Sequence, residues 1–310
     1  MNRIKRLLLK AFGTLLSLLP RTWVAEMFRL AGAQLGVTAC ACAGELGVFE
    51  ARLSDRGVLG YYLVHHTWEP GIQLLLARLA EPGTGTFIDV GANVGFTLIP
   101  LKRRYPLLKV VGVEADAENF GHLSRNLLRN GITDAVLHQR AVHSTAGELE
   151  FERSDRNAGD HRVRLSVAGT GNDLYGEGDR SVVRVRCDRL DDLVDAGSLF
   201  DRVGMKVDIQ GAEVHFLEGA QSVLARTDWL VIEYWPYGIM RAGSRPEDFF
   251  RKLASLFPFG GIIDTNSNSL PRLMPVHQLL TQVTDHLGHE AETAHCELIF
   301  AKTPELPHPD

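Results

Sequence analysis

Residues 86–95 read T-F-I-D-V-G-A-N-V-G, and this stretch decides the fold. Phe87, Ile88 and Val90 form a short apolar run with Asp89 near its end, the composition of a buried parallel strand. Gly91 and Gly95 bracket a tight turn, and residues 96–102 continue with helical character. A strand, a glycine turn and a helix start together build a nucleotide-binding crevice in an open α/β sheet. The glycines admit close backbone approach, and the helix start offers N–H donors to a ligand.

A dinucleotide fingerprint would read G-x-G-x-x-G, but Asn93 holds the place of the second glycine and Phe96 that of the third. D-V-G-A-N-V-G instead resembles the first motif of S-adenosylmethionine-dependent methyltransferases. Outward from it, strand and helix alternate, as in a doubly wound sheet. Strands are expected at 86–90, 109–114, 135–141, 204–209, 229–233, 261–265 and 296–301, with helices at 95–104, 117–130, 212–225 and 246–257. Gly131 reads as a helix C-cap. The expected fold class is α/β: a doubly wound, Rossmann-like seven-stranded methyltransferase sheet with a β-rich insertion and a helical N-terminal extension.

The insertion spans 148–194, with strand-like pieces at 148–152, 162–167 and 181–187. It is either a lid over the substrate or an edge elaboration without ligand contact. The expected domains are an N-terminal extension at 1–67, a catalytic domain at 68–303 and a disordered tail at 304–310.

The extension begins with a basic, apolar segment. In residues 2–19, Arg3, Lys5, Arg6 and Lys10 interleave with Ile4, Leu7, Leu8, Phe12, Leu15 and Leu18, and no acid precedes Glu26. The apolar run between Lys10 and Pro20 is shorter than the roughly 20 residues that a bilayer requires. Three readings stand: a helix docked on the domain, a helix lying on the anionic inner face of a membrane, and a signal peptide. A convincing cleavage site for the third is missing. Residues 21–60 suggest short helices and a hairpin. V-H-H-T-W-E-P-G (64–71) then leads into a helix at 72–79. On a strand, His65 and His66 would face opposite sides, so they make no chelating pair, though one of them can face a substrate.

The 310 residues, 45% hydrophobic and 23% charged, suffice for one large core, and a formal net charge of -5 gives no footprint for nucleic acid. Cys40, Cys42, Cys187 and Cys296 show no disulfide framework, which fits a reducing, cytoplasmic setting. Cys40 and Cys42 lack a second ligand pair, so no metal is expected there.

An S-adenosylmethionine site needs a carboxylate for the ribose hydroxyls, and Glu114 at the end of the second strand stands 25 residues after Asp89, where it is wanted. Asp116 reads as the N-cap of the next helix. Asp89 and the turn through Gly91, Ala92 and Asn93 are expected to take the methionine end. Arg140, Ala141 and Val142 are placed for the adenine. In M-K-V-D-I-Q-G-A-E (205–213), Lys206 and Asp208 interrupt an otherwise buried strand. Left unpaired they would cost several kcal/mol each, so they either pair with each other or face the crevice.

D-V-G-A-N-V-G, V-E-A-D, K-V-D-I-Q-G-A-E and L-V-I-E-Y, in this order and spacing, resemble the FkbM-like methyltransferases over residues 68–303. The resemblance implies S-adenosylmethionine as donor and a hydroxyl acceptor on a sugar, a glycolipid or polysaccharide, or a secondary metabolite. It implies cofactor contacts at Asp89, Gly91, Asn93, Gly95 and Glu114, and at Glu69 of a Glu-Pro segment that could fold over the cofactor; Ala92, Ala115 and Ala141 are further cofactor candidates by position. Lys206, Asp208, Glu213 and Glu233 become the catalytic candidates, with Gly211 in the same motif. Gln210 departs from the family, which usually has Glu there.

The expected reaction is in-line attack of an acceptor oxygen on a sulfonium methyl, leaving the protein to align the partners and remove one proton. Asp208 is the expected base, with Glu213 or Glu233 as alternatives and His65, His66 or His143 behind them. A divalent ion between Asp208 and Glu233 would acidify the hydroxyl. Trp235, Tyr237 and Tyr234 are candidates for stacking on a sugar ring, and the insertion with residues 64–68 for shaping the acceptor pocket. Two other classes stand beside this one. A nicotinamide-dependent oxidoreductase would share the fold but needs the missing glycines. A membrane-associated binding protein that keeps the cofactor fold without turnover would explain Gln210 and the basic segment.

Overall fold

The computed structural model describes residues 19–164, 179–199, 201–287 and 294–306. The basic segment up to residue 18, the second half of the expected strand at 162–167 and the last residues of the tail lie outside these. Helix α1 (Arg21–Gln34) precedes an antiparallel hairpin, β1 (Ala39–Gly44) with β2 (Gly47–Arg52), followed by α2 (Val58–His65) and α3 (Pro70–Leu79). Then come β3 (Thr86–Val90), α4 (Leu98–Arg104), β4 (Lys109–Glu114), α5 (Ala117–Arg129) and β5 (Val136–Gln139). The insertion supplies β6 (Ala141–Val142), β7 (Gly147–Arg153), β8 (Arg162–Val163) and β9 (Ser181–Asp188). The chain returns through α6 (Leu190–Leu193), β10 (Val203–Val207), α7 (Glu213–Gly219), α8 (Gln221–Arg226), β11 (Trp229–Tyr234), α9 (Pro236–Arg241) and α10 (Pro246–Ala254). It closes with β12 (Phe259–Ile263), β13 (Met274–Pro275), α11 (Val276–Leu287) and β14 (Cys296–Ala301).

The main sheet runs β13-β12-β14-β11-β10-β3-β4-β5, with β14 antiparallel to both β11 and β12. The parallel strand order reverses between β3 and β10, and ligands of such sheets sit outside the carboxyl ends at that point. All seven expected strands are present, but the count is corrected to eight by the two-residue β13 on the edge beside β12. The expected helix at 212–225 is two helices broken at Ala220. At the break the chain passes so close to the β6 end that a Cβ on Gly219 would lie 2.1 Å from His143 O. The expected third strand stops at Gln139 because Ala141 and Val142 pair with β9 instead. His65 and His66 are not on a strand: His65 ends α2, and His66 is its left-handed C-cap. Residues 303–306 of the chain's end are placed, with Leu306 packed against the core. Among the described residues, no helix is long and apolar enough to cross a membrane.

Alternation along the strands divides the core. Ile88, Met205, Val207, Leu230, Ile232, Leu298 and Phe300 pack on one face with α7, α8, α10 and α11. Phe87, Val231, Trp229, Ile299 and Ala301 pack on the other, together with Phe49 of the hairpin, Tyr62 of α2 and Ile72 of α3. The N-terminal extension therefore shares the core of the sheet. The insertion folds as a second sheet, β6-β9-β7-β8, anchored by the buried pair Arg241–Glu152 at 2.6 Å.

Candidate functional site

On the face shared with the N-terminal elements, the apolar alternation gives way to charge at the same end of four adjacent strands. Asp89 follows Phe87 on β3, Lys206 follows Gly204 on β10, Glu233 follows Val231 on β11, and Glu297 precedes Ile299 on the antiparallel β14. Register sets Lys206 beside Asp89 and Glu233 beside Glu297. Above them lies a cavity of about 780 Å³, within the range that small-molecule sites occupy.

Lys206 Nζ donates to Asp208 Oδ2 at 3.0 Å. Burial disfavours the ammonium, but Asp208, Glu297, Glu69 and Asp89 outweigh it and hold Lys206 charged, well above its ordinary range. The same balance holds for Asp208: burial acts against the carboxylate, yet Lys206 and the amide of Gln210 keep it below the usual range. Gln210 Nε2 donates to Asp208 Oδ1 at 2.8 Å and to Glu233 Oε2 at 3.0 Å, so one side-chain nitrogen occupies the position between the two acids. Glu233 is raised well above its ordinary value by burial and by the neighbouring Asp208, and Glu297 is pushed up to about 8, by burial first. Among the described residues, no group of three His, Cys, Asp or Glu side chains is arranged to hold a metal ion.

The glycine turn carries the other half of the site. Gly91 has φ +83 and Gly95 φ +100, and Asn93 adopts φ 49 although it is not glycine. The turn holds its own backbone: Gly91 N and Ala92 N both donate to Val113 O, and Asn93 N donates to Glu114 Oε2 at 2.8 Å. The three N–H groups expected to receive the methionine end are therefore already engaged. Glu114 Oε1 accepts from Asp116 N at 2.8 Å, and burial pushes this carboxyl up to about 7. Asp116 caps α5 as expected, accepting from Glu118 N and Asn119 N.

Of the expected cofactor residues, Glu69, Gly91, Ala92, Asn93, Glu114, Ala115 and Ala141 line the cavity, joined by Arg140 and Val142; of the catalytic candidates, Lys206, Asp208 and Glu233 do. Three candidates, Asp89, Gly95 and Glu213, do not line the cavity. Asp89 accepts from Leu98 N at the start of α4, and burial raises it to about 7. Gly95 packs against Ile99 and Leu123. Glu213, with no exposed surface, accepts from Ile209 N and Gly211 N, each at 3.2 Å, and so holds the loop that carries Gln210. His65, His66 and His143 are not part of the wall. His143 stacks on His215 at 4.3 Å and is pushed down to about 4 by burial and by that neighbour. Trp235 lines the cavity, whereas Tyr234 packs on Phe249 and Phe250 in the core and Tyr237 packs on Trp235.

Several lining residues were not expected from the sequence. Glu297 is one, and the same signal that marked Lys206, a charge inside an apolar strand (C-E-L-I-F-A), would have found it. Residues 157–161 of the insertion are others: Ala158 O accepts from Asn93 Nδ2 at 3.0 Å and from Asn119 Nδ2 at 3.1 Å. The insertion thus contacts the glycine turn directly and contributes to the cavity wall. Glu69, at φ 40, stands at the start of α3 and accepts from the Trp68 indole, which stacks on Phe96 at 5.3 Å.

Residues 89–253, a little over half of the chain, match the Methyltransferase FkbM domain. The chain belongs to this family. Methyltransferase sdnD of Sordaria araneosa is 29% identical over 187 residues, covering 51% of this chain and 70% of that protein. Hexuronic acid methyltransferase AglP of Haloferax volcanii is 26% identical over 184 residues, covering 59% of this chain and 66% of that protein. Among solved structures, M. jannaschii TYW2 in complex with AdoMet superposes with a TM-score of 0.40 at 11% identity, covering 85% of each chain.

An FkbM-domain protein is a methyltransferase that uses S-adenosylmethionine, and the cavity suits that cofactor. Glu114 stands on the cavity wall beside the glycine turn, each of its carboxyl oxygens accepting one backbone N–H. Among the described residues, the buried Asn93 Oδ1 and Glu297 Oε2 have no hydrogen-bond partner in the protein. Buried polar atoms of this kind take a partner from water or from a bound ligand.

Proposed function

We propose that this methyltransferase acts on a hydroxyl group of a sugar, a glycolipid or polysaccharide, or a secondary metabolite, with Asp208 as the base. The observation that carries the reading is the hydrogen-bonded chain Lys206–Asp208–Gln210–Glu233 on the cavity wall. S-adenosylmethionine supplies an activated, positively charged methyl when bound. Glu114 would take its ribose hydroxyls, Glu69 its ammonium, and Arg140, Ala141 and Val142 would flank the adenine.

The work left to the protein is alignment and proton removal. Asp208 stays ionised beside Lys206, so it accepts a proton at neutral pH. Because an aliphatic hydroxyl is far less acidic than a carboxyl group, that proton moves as the new O–C bond forms rather than before it. Glu233 and Glu297, both raised, carry protons near neutral pH and can donate to other hydroxyls of a polyol. Trp235 offers an apolar plate for a ring face. The hexuronic acid methyltransferase among the relatives keeps company with a sugar acceptor.

The test is transfer of labelled methyl from S-adenosylmethionine to a panel of neutral sugars, glycosides and amino sugars, with Asp208→Asn alongside. A labelled ether and a loss of about 10²–10⁴-fold in kcat for the variant, with cofactor binding retained, are expected. Label on amines alone would overturn the hydroxyl reading. Undiminished turnover by Asp208→Asn would overturn the base.

A further inference from the structure

Glu233 and Glu297 are cross-strand partners on β11 and β14, and both are buried residues of the cavity wall. Side chains paired in this way have Cβ atoms roughly 5 Å apart, a spacing at which like charges repel. Gln210 Nε2 donates to Glu233 Oε2 at 3.0 Å. Glu297 is only 6% exposed, and its Oε2 has no hydrogen-bond partner among the described residues.

The wall gives this pair little positive charge. Lys206 bears on Glu297, but it also serves Asp208, Glu69 and Asp89 and donates to Asp208 at 3.0 Å. Arg140, the other lysine or arginine among the described lining residues, is held by Asp188 at 2.7 Å. Burial first, with Asp208, Glu69 and Glu213 adding to it against Lys206, pushes Glu297 up to about 8. His286 and His295 also line the cavity, with exposed side chains.

Both acids can serve hydroxyls, but a hydroxyl needs one donor and one acceptor, which a single amide supplies. Two acids buried side by side cost stability that an amide would not. A positively charged guest is what turns the pair into a gain, because a hydrogen bond between charged partners is about twice as strong as a neutral one. A carboxylate or phosphate in the same place would meet only acids and cations already paired.

We propose that Glu297 and Glu233 form a subsite for an ammonium group, so that the acceptor is a sugar or polyol carrying an amine beside the hydroxyl that is methylated. The class of acceptor rests on the hydroxyl reading above; the subsite does not. The ammonium donates to Glu297 Oε2 and to Glu233, and the proton that Glu297 carried passes to the buffer.

The test is calorimetric titration of the full chain at pH 7, with S-adenosylhomocysteine present. The probes are methyl glucosides with an amino group at C2, C3, C4 or C6, set against methyl glucoside and methyl glucuronide. At least one amino glycoside should bind tenfold or more tightly than methyl glucoside, a factor that one charge-assisted hydrogen bond supplies. Methyl glucuronide should bind more weakly than methyl glucoside. Titrations in two buffers of different ionisation heat should show proton release with the amino glycoside and none with methyl glucoside.

Glu297→Gln keeps the shape and the hydrogen bonding but not the charge. It should lower the preference to about threefold or less and reduce the proton release, with S-adenosylmethionine affinity at the wild-type value. Equal binding of amino and hydroxyl glycosides, no binding of any amino glycoside, or a preference that survives Glu297→Gln would overturn the subsite. So would lost S-adenosylmethionine affinity in a variant with a wild-type urea midpoint, which would give the pair to the cofactor. Label on the nitrogen of a tightly bound amino glycoside would support the subsite and overturn the hydroxyl reading instead.

Discussion

Gly91 and Asp208 meet backbone to backbone: a Cβ on Gly91 would lie 1.9 Å from the Asp208 carbonyl oxygen, while Asp208 N donates to Val90 O at 3.0 Å. The glycine turn and the Lys-x-Asp motif, more than 100 residues apart, are two sides of one contact. Gly91→Ala is strained twice, by φ +83 and by a clash with backbone that cannot swing away. A loss of about 2–4 kcal/mol in urea unfolding is expected. A wild-type midpoint would show that the two motifs can part without cost.

Glu114 gives the molecule a distinctive pH response. Burial raises it from 4.5 to about 7, so between those values the folded chain holds a proton that the unfolded chain has released. Stability from this group is complete below about pH 4.5, falls as pH rises towards 7 and then levels off. S-adenosylmethionine affinity runs the other way, because the ionised carboxylate is the better acceptor for ribose hydroxyls. Urea midpoints across this range should fall less steeply for Glu114→Gln than for the wild type; equal slopes would remove Glu114 as their source.

Gln210→Glu would set a third carboxyl between Asp208 and Glu233 and remove the donor that bridges them. Asp208 then loses a hydrogen bond that favours its charged form and gains a like charge, both of which raise it. The acid limb of the kcat profile should move up by about a unit or more. An unmoved limb would mean that Gln210 does not hold the base.

Lys206→Met would leave Asp208 and the surrounding acids without the ammonium that compensates them. Breaking a buried pair from one side costs about 3–5 kcal/mol, and the loss at pH 7 should shrink at pH 5 as the acids take up protons. Equal losses at both values would point to packing rather than charge.

Periodicity made the strands legible, and the fold followed, because a one-residue change of face is visible as an apolar alternation. The same alternation flagged Lys206 and Asp208 as misfits in a buried strand. It marked Asp89 as a charge in a buried strand but not that its carboxyl group would accept from Leu98 N at the start of α4. Local pattern has no access to the partner that a side chain takes. Nor could it foresee that Ala158, 65 residues beyond Asn93, would close over the glycine turn. The β13 edge failed for a simpler reason: two paired residues are too few to carry a period.

The measurement that bears most directly on the account is calorimetric titration of S-adenosylmethionine into the full chain and into Glu114→Ala. The account predicts micromolar binding by the wild type and at least tenfold weaker binding by the variant, a difference of about 1.4 kcal/mol. Equal affinity in the two folded proteins would contradict the placement of the cofactor against Glu114, and no binding by the folded wild type would contradict the site as a whole.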